Sequence, residues 1–144
     1  MNRVETTIHS QDILQIRTTG KSFHNLTATV EALVAQSGIR TGLCTLFVCH
    51  SSASLVIQEN ADPRVLKDLE DFFADLVPEE RRYSHDDEGT DDMPAHIRTA
   101  LTHTSENIPI RNGRLVLGIW QGIYLWEHRA RGRSREVVVH LTGA

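Results

Sequence analysis

The chain opens with apolar and polar residues in strict alternation. Residues 4–8 and 13–18 follow this period-two pattern on either side of Ser10-Gln11-Asp12, which predicts a half-buried hairpin. The period then lengthens. Leu26, Val30, Leu33 and Val34 recur at helical spacing, Ser22 or Asn25 can cap the start, and Gly38 can stop the helix. Residues 43–49 are apolar on both faces, as in a central strand, and a second strand over 54–60 is expected to pair with it. Asp62-Pro63 starts a second main helix, with the carboxylate at the N-cap and proline where its missing N–H costs nothing. Val65, Leu69, Phe72, Phe73 and Leu76 form its stripe and Pro78 ends it. Residues 79–92 are polar and aperiodic, a long loop of the kind that carries function, and Asp91 or Asp92 caps a short third helix over 94–102. Asn112-Gly113 between Ile108-Pro109-Ile110 and Leu115-Val116-Leu117 is a hairpin signal, because both residues tolerate positive φ. Strands over 122–127 and 136–141, joined by an arginine-rich turn, complete the pattern. The predicted class is α+β, an extensive mixed or antiparallel sheet with two main helices and one short helix.

Length and composition narrow the setting. A chain of 144 residues fits one domain spanning 1–144, long enough to bury roughly two-thirds of its unfolded surface. A net charge of -4 argues against nucleic acid as partner and favours small molecules, despite the local cluster Arg129, Arg131, Arg133 and Arg135. No apolar run approaches the ~20 residues of a membrane helix. Residues 1–7 lack the apolar core of a signal peptide, so a cytoplasmic location is expected. Cys44 and Cys49 lie on opposite faces of one predicted strand and read as reduced thiols.

Histidines and carboxylates gather at element ends. His50 closes the apolar run 43–49, His85 and His96 bracket the acidic stretch 86–92, and His128 follows Tyr124-Leu125-Trp126-Glu127. Along that strand Ile123, Leu125 and Glu127 share one face while Tyr124, Trp126 and His128 share the other. Glu127 therefore ends an apolar row, and Glu59 does the same beside Leu55 and Ile57. Such carboxylates need a cation, a donor or a raised pKa, whether in a functional site or in a structural ion pair. His85 and His96, eleven positions apart, can share one metal but match no standard zinc spacing. Three histidines with an open position suit a zinc-type ion, whereas Asp86, Asp87, Asp91 and Asp92 suit magnesium. A guanidinium cluster can clamp phosphate, yet Arg131, Arg133 and Arg135 read as a solvated hairpin end. Arg129 is retained because it adjoins Glu127 and His128. Trp120-Gln121-Gly122 breaks a strand and can either line a pocket for a flat ring or mark a bulge with a core tryptophan. His9, His24, His103 and His140 have no distinguishing context and read as structural.

The motifs His50-Ser51-Ser52-Ala53-Ser54-Leu55, Glu59-Asn60-Ala61-Asp62-Pro63, Tyr83-Ser84-His85, Asp91-Asp92-Met93-Pro94-Ala95-His96-Ile97, Gly113-Arg114, Gly118-Ile119-Trp120-Gln121-Gly122-Ile123 and Glu127-His128-Arg129, in that order, resemble the YjbQ family. Its members are often labelled secondary thiamine-phosphate synthase. The resemblance implies a compact α+β domain assembled as a homotrimer, a bound metal in some members, and a weak capacity to join hydroxymethylpyrimidine diphosphate to thiazole phosphate. The family's histidines fall on His50, His85 and His96, and its polar strand-end residues on Asn60, Gln121 and Glu127. Two positions depart from it: Ile119 stands where threonine is usual before Trp-Gln, and Ser51 where threonine often follows the histidine.

These readings combine into one expectation. His50, His85 and His96 hold a divalent ion, zinc or magnesium, and Glu127 or Asp92 serves as a further ligand or base. The ion and Arg129 neutralise a departing diphosphate, while Ser52, Asn60, Trp120 and Gln121 contact a small phosphorylated substrate, the tryptophan by stacking. The alternatives are a metal-dependent hydrolase of a phosphorylated metabolite and a non-enzymatic protein that binds a metal or phosphorylated ligand.

Overall fold

The computed structural model describes residues 6–144. The predicted N-terminal hairpin does not form. A single strand, β1 (Ile8–Arg17), runs straight through Ser10-Gln11-Asp12, and the 4–5 portion of the prediction lies outside the described residues. The reason is a partner: β1 pairs along its whole length with the C-terminal strand β8 (Ser134–Gly143), from Ile8↔Gly143 to Arg17↔Ser134. A continuous long-range ladder overrides the local turn preference of Ser, Gln and Asp. The inward face is then Ile8, Leu14 and Ile16, and Ile13 is left 60% exposed.

β1 is the edge of a five-stranded antiparallel sheet ordered β1-β8-β3-β5-β6, with β3 at Thr41–Val48, β5 at Ser105–Arg111 and β6 at Arg114–Leu115. The hairpin between β5 and β6 turns where expected, Asn112 at φ 53° and Gly113 at φ 76°. A second antiparallel sheet of three strands is ordered β2-β7-β4, with β2 at Ser22–Asn25, β4 at Ala53–Glu59 and β7 at Gln121–Glu127. The expected pairing of the strands at 43–49 and 54–60 therefore fails. β3 bonds β5 and β8, β4 bonds β7, and residues 49–52 carry the chain from one sheet to the other. β7 and β8 also lie in different sheets, so the arginine-rich segment 128–133 is a second crossover, not a hairpin turn.

The sheets share one core. Cys44, Leu46 and Val48 of β3, Val137, Val139 and Leu141 of β8, Leu55 of β4 and Ile123 and Leu125 of β7 pack together with Val30 and Val34 of helix α1 (Thr27–Ser37). The N-cap position of the helix falls on Leu26, one residue after Asn25, and carries no side-chain cap; Asn25 Oδ1 still accepts from the Thr27 N–H at 3.0 Å, and Gly38 ends the helix at φ 74° as predicted. The outer face of the small sheet is covered by α2 (Pro63–Leu76) and α3 (Asp92–Leu101): Trp126 meets Phe73 edge-on with centroids 5.0 Å apart, and the Arg98 guanidinium sits 5.3 Å over the Trp126 ring. Asp62 caps α2 through its carboxylate, which accepts from the Arg64 N–H at 3.0 Å. Among the described residues no helix is long and apolar enough to cross a membrane. Cys44 is buried, Cys49 is exposed, and both are free.

Candidate metal centre

Three side chains converge where the 79–91 loop enters α3. Asp92 and His96 lie one helical turn apart and so share a face. His85 reaches them from the loop: its Nε2 donates to Asp92 Oδ2 at 2.6 Å, His96 Nε2 lies 3.4 Å from the same oxygen, and the three ligand atoms fall within 4.8 Å of one another. The imidazole rings stand 5.7 Å apart.

Each donor is oriented from behind. His96 Nδ1 donates to the Ser51 carbonyl at 2.8 Å, since a carbonyl can only accept, and the neutral ring therefore presents a bare Nε2 to the cluster. Asp92 is only 3% exposed, and its Oδ1 accepts from Arg129 Nη1 at 2.6 Å. Arg129 also donates through Nε to Asp91 Oδ2 at 2.9 Å and through Nη2 to the Glu88 carbonyl at 2.9 Å, and the Ala130 N–H adds a bond to Asp91 at 2.8 Å. This clamp ties the end of β7 to the start of α3. Burial raises the Asp92 pKa, but the hydrogen bond from His85 and the charge of Arg129 outweigh it, so the carboxyl stays below its ordinary range. The bond to Asp92 raises His85 above an ordinary histidine.

The set fits a divalent cation on its chemistry. Two imidazoles and one carboxylate are a recurrent ligand trio that leaves coordination positions open. His96 Nε2 lies 3.4 Å from Asp92 Oδ2, a separation at which one cation can contact both atoms.

Two expected members of the centre sit elsewhere. His50 does not join the cluster: its Nε2 accepts from the Glu136 N–H at 2.9 Å, a bond that fastens the first crossover to β8. Burial, and then the charge of Arg135, lowers its pKa. Its link to the site is indirect, through its neighbour Ser51, whose carbonyl orients His96. Glu127 is fully buried and fully bonded. It accepts from Thr18 Oγ1 (2.6 Å), Arg135 Nε (2.8 Å) and Nη2 (2.5 Å), and the N–H groups of His128 (3.0 Å) and Arg129 (3.1 Å). No lone pair is left for a metal or a substrate proton, and the structural ion pair is the correct reading. Burial pushes the Glu127 carboxyl up, yet the bonds from Arg135 and Thr18 carry it below its ordinary value. Arg135, expected in a solvated turn, is 3% exposed.

The expected substrate contacts divide. Ser52 is buried beneath the crossover, its Oγ accepting from Arg135 Nη2 at 2.9 Å. Asn60 and Gln121 lie at the opposite end of the β4–β7 ladder, where Glu59 pairs with Gln121 while Ala53 pairs with Glu127. The six residue steps from Ala53 to Glu59, at ~3.3 Å each, separate the two ends of the ladder by about 20 Å. Asn60 and Gln121 line a cavity of ≈ 720 Å³ together with Thr27, Glu31, Arg114 and Ile119. Trp120 is 60% exposed and is not among its walls. Asn60 Nδ2 donates to the Ile119 carbonyl at 3.3 Å and Gln121 Oε1 accepts from the Gly118 N–H at 2.7 Å, so both amides brace this loop. The Ser51 carbonyl is not assigned to the site from sequence, and Asp91, grouped there with acids suited to magnesium, instead anchors Arg129. Asp91 had a signal in the Asp-Asp pair, but its role depends on Arg129, 38 positions away.

Residues 12–144 match the family model described as UPF0047 protein YjbQ-like. The UPF0047 protein sll1880 of Synechocystis is 66% identical over 134 residues, covering 92% of this chain and 91% of that protein. The UPF0047 protein YjbQ of Escherichia coli O157:H7 is 41% identical over 134 residues, covering 92% and 97%. Among solved structures, a YbjQ-like protein of Sulfolobus solfataricus superposes with a TM-score of 0.90 at 26% identity, covering 96% of this chain and 100% of that one. A YjbQ/UPF0047 protein of Clostridium acetobutylicum gives 0.84 at 34% identity, covering 90% and 98%. With the family model spanning residues 12–144, and relatives matching over nearly their full length, the chain belongs to the YjbQ/UPF0047 family.

Proposed function

We propose that this protein is a divalent-metal-dependent enzyme acting on a small phosphorylated molecule, with His85, Asp92 and His96 as the protein ligands. The observation that carries the reading is the bond from His96 Nδ1 to the Ser51 carbonyl, which fixes the tautomer a ligating histidine needs and aims Nε2 at Asp92 and His85. When bound, the cation supplies positive charge against phosphate oxygens and leaves positions open to them. Arg129 keeps Asp92 ionised and immobile, and the Asp91 anchor keeps Arg129 from swinging away. His85, 43% exposed at its side chain, is the member that can exchange a proton with solvent once its bond to Asp92 is broken.

Within that reading, the reaction implied by family resemblance is the joining of hydroxymethylpyrimidine diphosphate to thiazole phosphate with loss of diphosphate. A homotrimer is the assembly the resemblance implies, and exposed Ile13 and Phe47, which flank half-buried Val138 across β1, β8 and β3, offer an apolar face for a subunit contact. The free thiols fit a reducing, cytoplasmic setting. The test is twofold. Metal content of purified wild type and His96→Ala is measured after loading with zinc or manganese, and thiamine phosphate is assayed from the two precursors. One ion per chain in wild type, none in the variant and product only with metal is the expected outcome. Equal metal content in both proteins sinks the ligand assignment, and phosphate release without coupling transfers the reading to a hydrolase.

A further inference from the structure

We infer that the second crossover builds an anion subsite beside the metal cluster, in which Arg131 and Arg133 take a phosphate or diphosphate group. A cavity of ≈ 400 Å³ lies between the acidic loop, at Glu88, Gly89 and Asp91, and the segment carrying Arg129, Arg131 and Arg133. Its charges can be accounted for one by one. Asp91 is held by Arg129 and the Ala130 N–H, and Glu88 is engaged by His85 at 3.1 Å. Arg129 is committed to Asp91 and Asp92. Arg131 and Arg133 have no carboxylate partner among the described residues, and the buried Nε of Arg133 has no acceptor at all. A buried guanidinium N–H without an acceptor is a cost that an oxyanion removes, and the fork matches phosphate geometry.

The backbone at Arg133 is held, unlike that of a solvated turn. Arg133 exchanges backbone bonds with Thr18, donating to its Oγ1 at 3.0 Å and accepting from its N–H at 2.9 Å, and Thr18 in turn bonds buried Glu127. At Gly132 a Cβ would lie 2.1 Å from the Thr18 carbonyl oxygen, so only glycine lets the crossover run this close. Through Arg129 and Asp91, the same cavity wall reaches the carboxylate of Asp92. The inference deepens the reading above and rests on it for the anion's role: the terminal phosphates of the substrate lie on Arg131 and Arg133, and Arg129, which also lines the cavity, links it to Asp92.

The test is calorimetric titration of the full chain with inorganic diphosphate and inorganic phosphate, with and without magnesium or manganese. Arg131→Gln and Arg133→Gln are each expected to weaken diphosphate binding roughly tenfold or more, as befits loss of a charge-assisted bond. Arg114→Gln, in the distant cavity, is the control and should bind as wild type does. Arg131 is exposed, so its substitution tests the subsite without threatening the fold. Undiminished binding in both arginine variants, or no binding by wild type at millimolar diphosphate, overturns the proposal. Failure of the metal reading shows separately: diphosphate binding that persists in chelator-treated protein and in His96→Ala, yet falls in the arginine variants, upholds the subsite without the metal.

Discussion

Replacing Glu127 separates a structural carboxylate from a catalytic one. Its two oxygens accept five hydrogen bonds within the fold, three of them from Thr18 and Arg135 and two from the backbone N–H groups that begin the second crossover. Glu127→Ala leaves Arg135, 3% exposed, as an uncompensated buried charge, a loss of about 3–5 kcal/mol. That is a large part of the 5–15 kcal/mol typical of a domain. Glu127→Gln keeps the shape but turns an NH2 toward donors, whichever way the amide is placed, and should cost about 1–3 kcal/mol. Glu127→Leu with Arg135→Met removes both charges and should recover part of the alanine loss, though the His128 and Arg129 N–H groups still lack an acceptor. Urea unfolding followed by circular dichroism measures each difference. The pH dependence has a definite sign. The folded pKa is depressed, so the contribution is present above the unfolded value near 4.3 and is lost as pH falls through the folded value. A Glu127→Gln protein as stable as wild type, but without activity, would refute the structural reading.

Three other perturbations report on distinct parts of the molecule. Asp92→Asn should abolish metal retention and loosen the Arg129 clamp, read by metal analysis and by proteolysis within residues 79–91; unchanged metal content counts against Asp92 as a ligand. His128 is held neutral by burial, its pKa pushed down to about 2. Its unfolded form takes a proton below about pH 6.5 that the folded form refuses, so wild-type stability falls with pH there by up to ~1.4 kcal/mol per unit, and His128→Phe should flatten that slope in unfolding titrations between pH 7 and 5. An unchanged slope would show that His128 takes up its proton in the fold. Phe47→Glu places a charge beside exposed Ile13 and half-buried Val138 and should lower the mass seen by light scattering, whereas an unaltered mass excludes that face as the subunit contact.

Legibility in the sequence followed the range of the interactions. The caps of α1 and α2, the Asn112-Gly113 turn and the Asp92–His96 spacing are local, and residues a few positions apart decide them. Strand pairing is not local. β1 reads as two short strands until β8, more than a hundred positions later, supplies a ladder for all of it. β3 and β4 read as neighbours because short connections favour pairing, yet Cys49 N–H bonds the Glu136 carbonyl while Leu55 N–H bonds the His103 carbonyl, and these partners draw the two strands into different sheets. Glu127 carried a true signal, a carboxylate closing an apolar row, but the signal does not say whether the partner is a substrate or Arg135.

The same long-range pairing explains why the site lies where it does. Residues 49–52 and 128–133 both pass between the sheets near the start of β4 and the end of β7, where Ala53 pairs with Glu127. A crossover cannot continue either ladder, so its backbone groups must find other partners. Here they find side chains: the Ser52 carbonyl takes Arg135, the Arg129 N–H takes Glu127, the Ala130 N–H takes Asp91, and the Ser51 carbonyl takes His96. Polar residues are thus required at this edge of the sandwich for the fold alone. Once Ser51 and Arg129 have fixed His96 and Asp92, His85 needs only a loop long enough to reach them, and residues 79–91 provide it. The far end of the sandwich, with Asn60 and Gln121, satisfies its loop through amides.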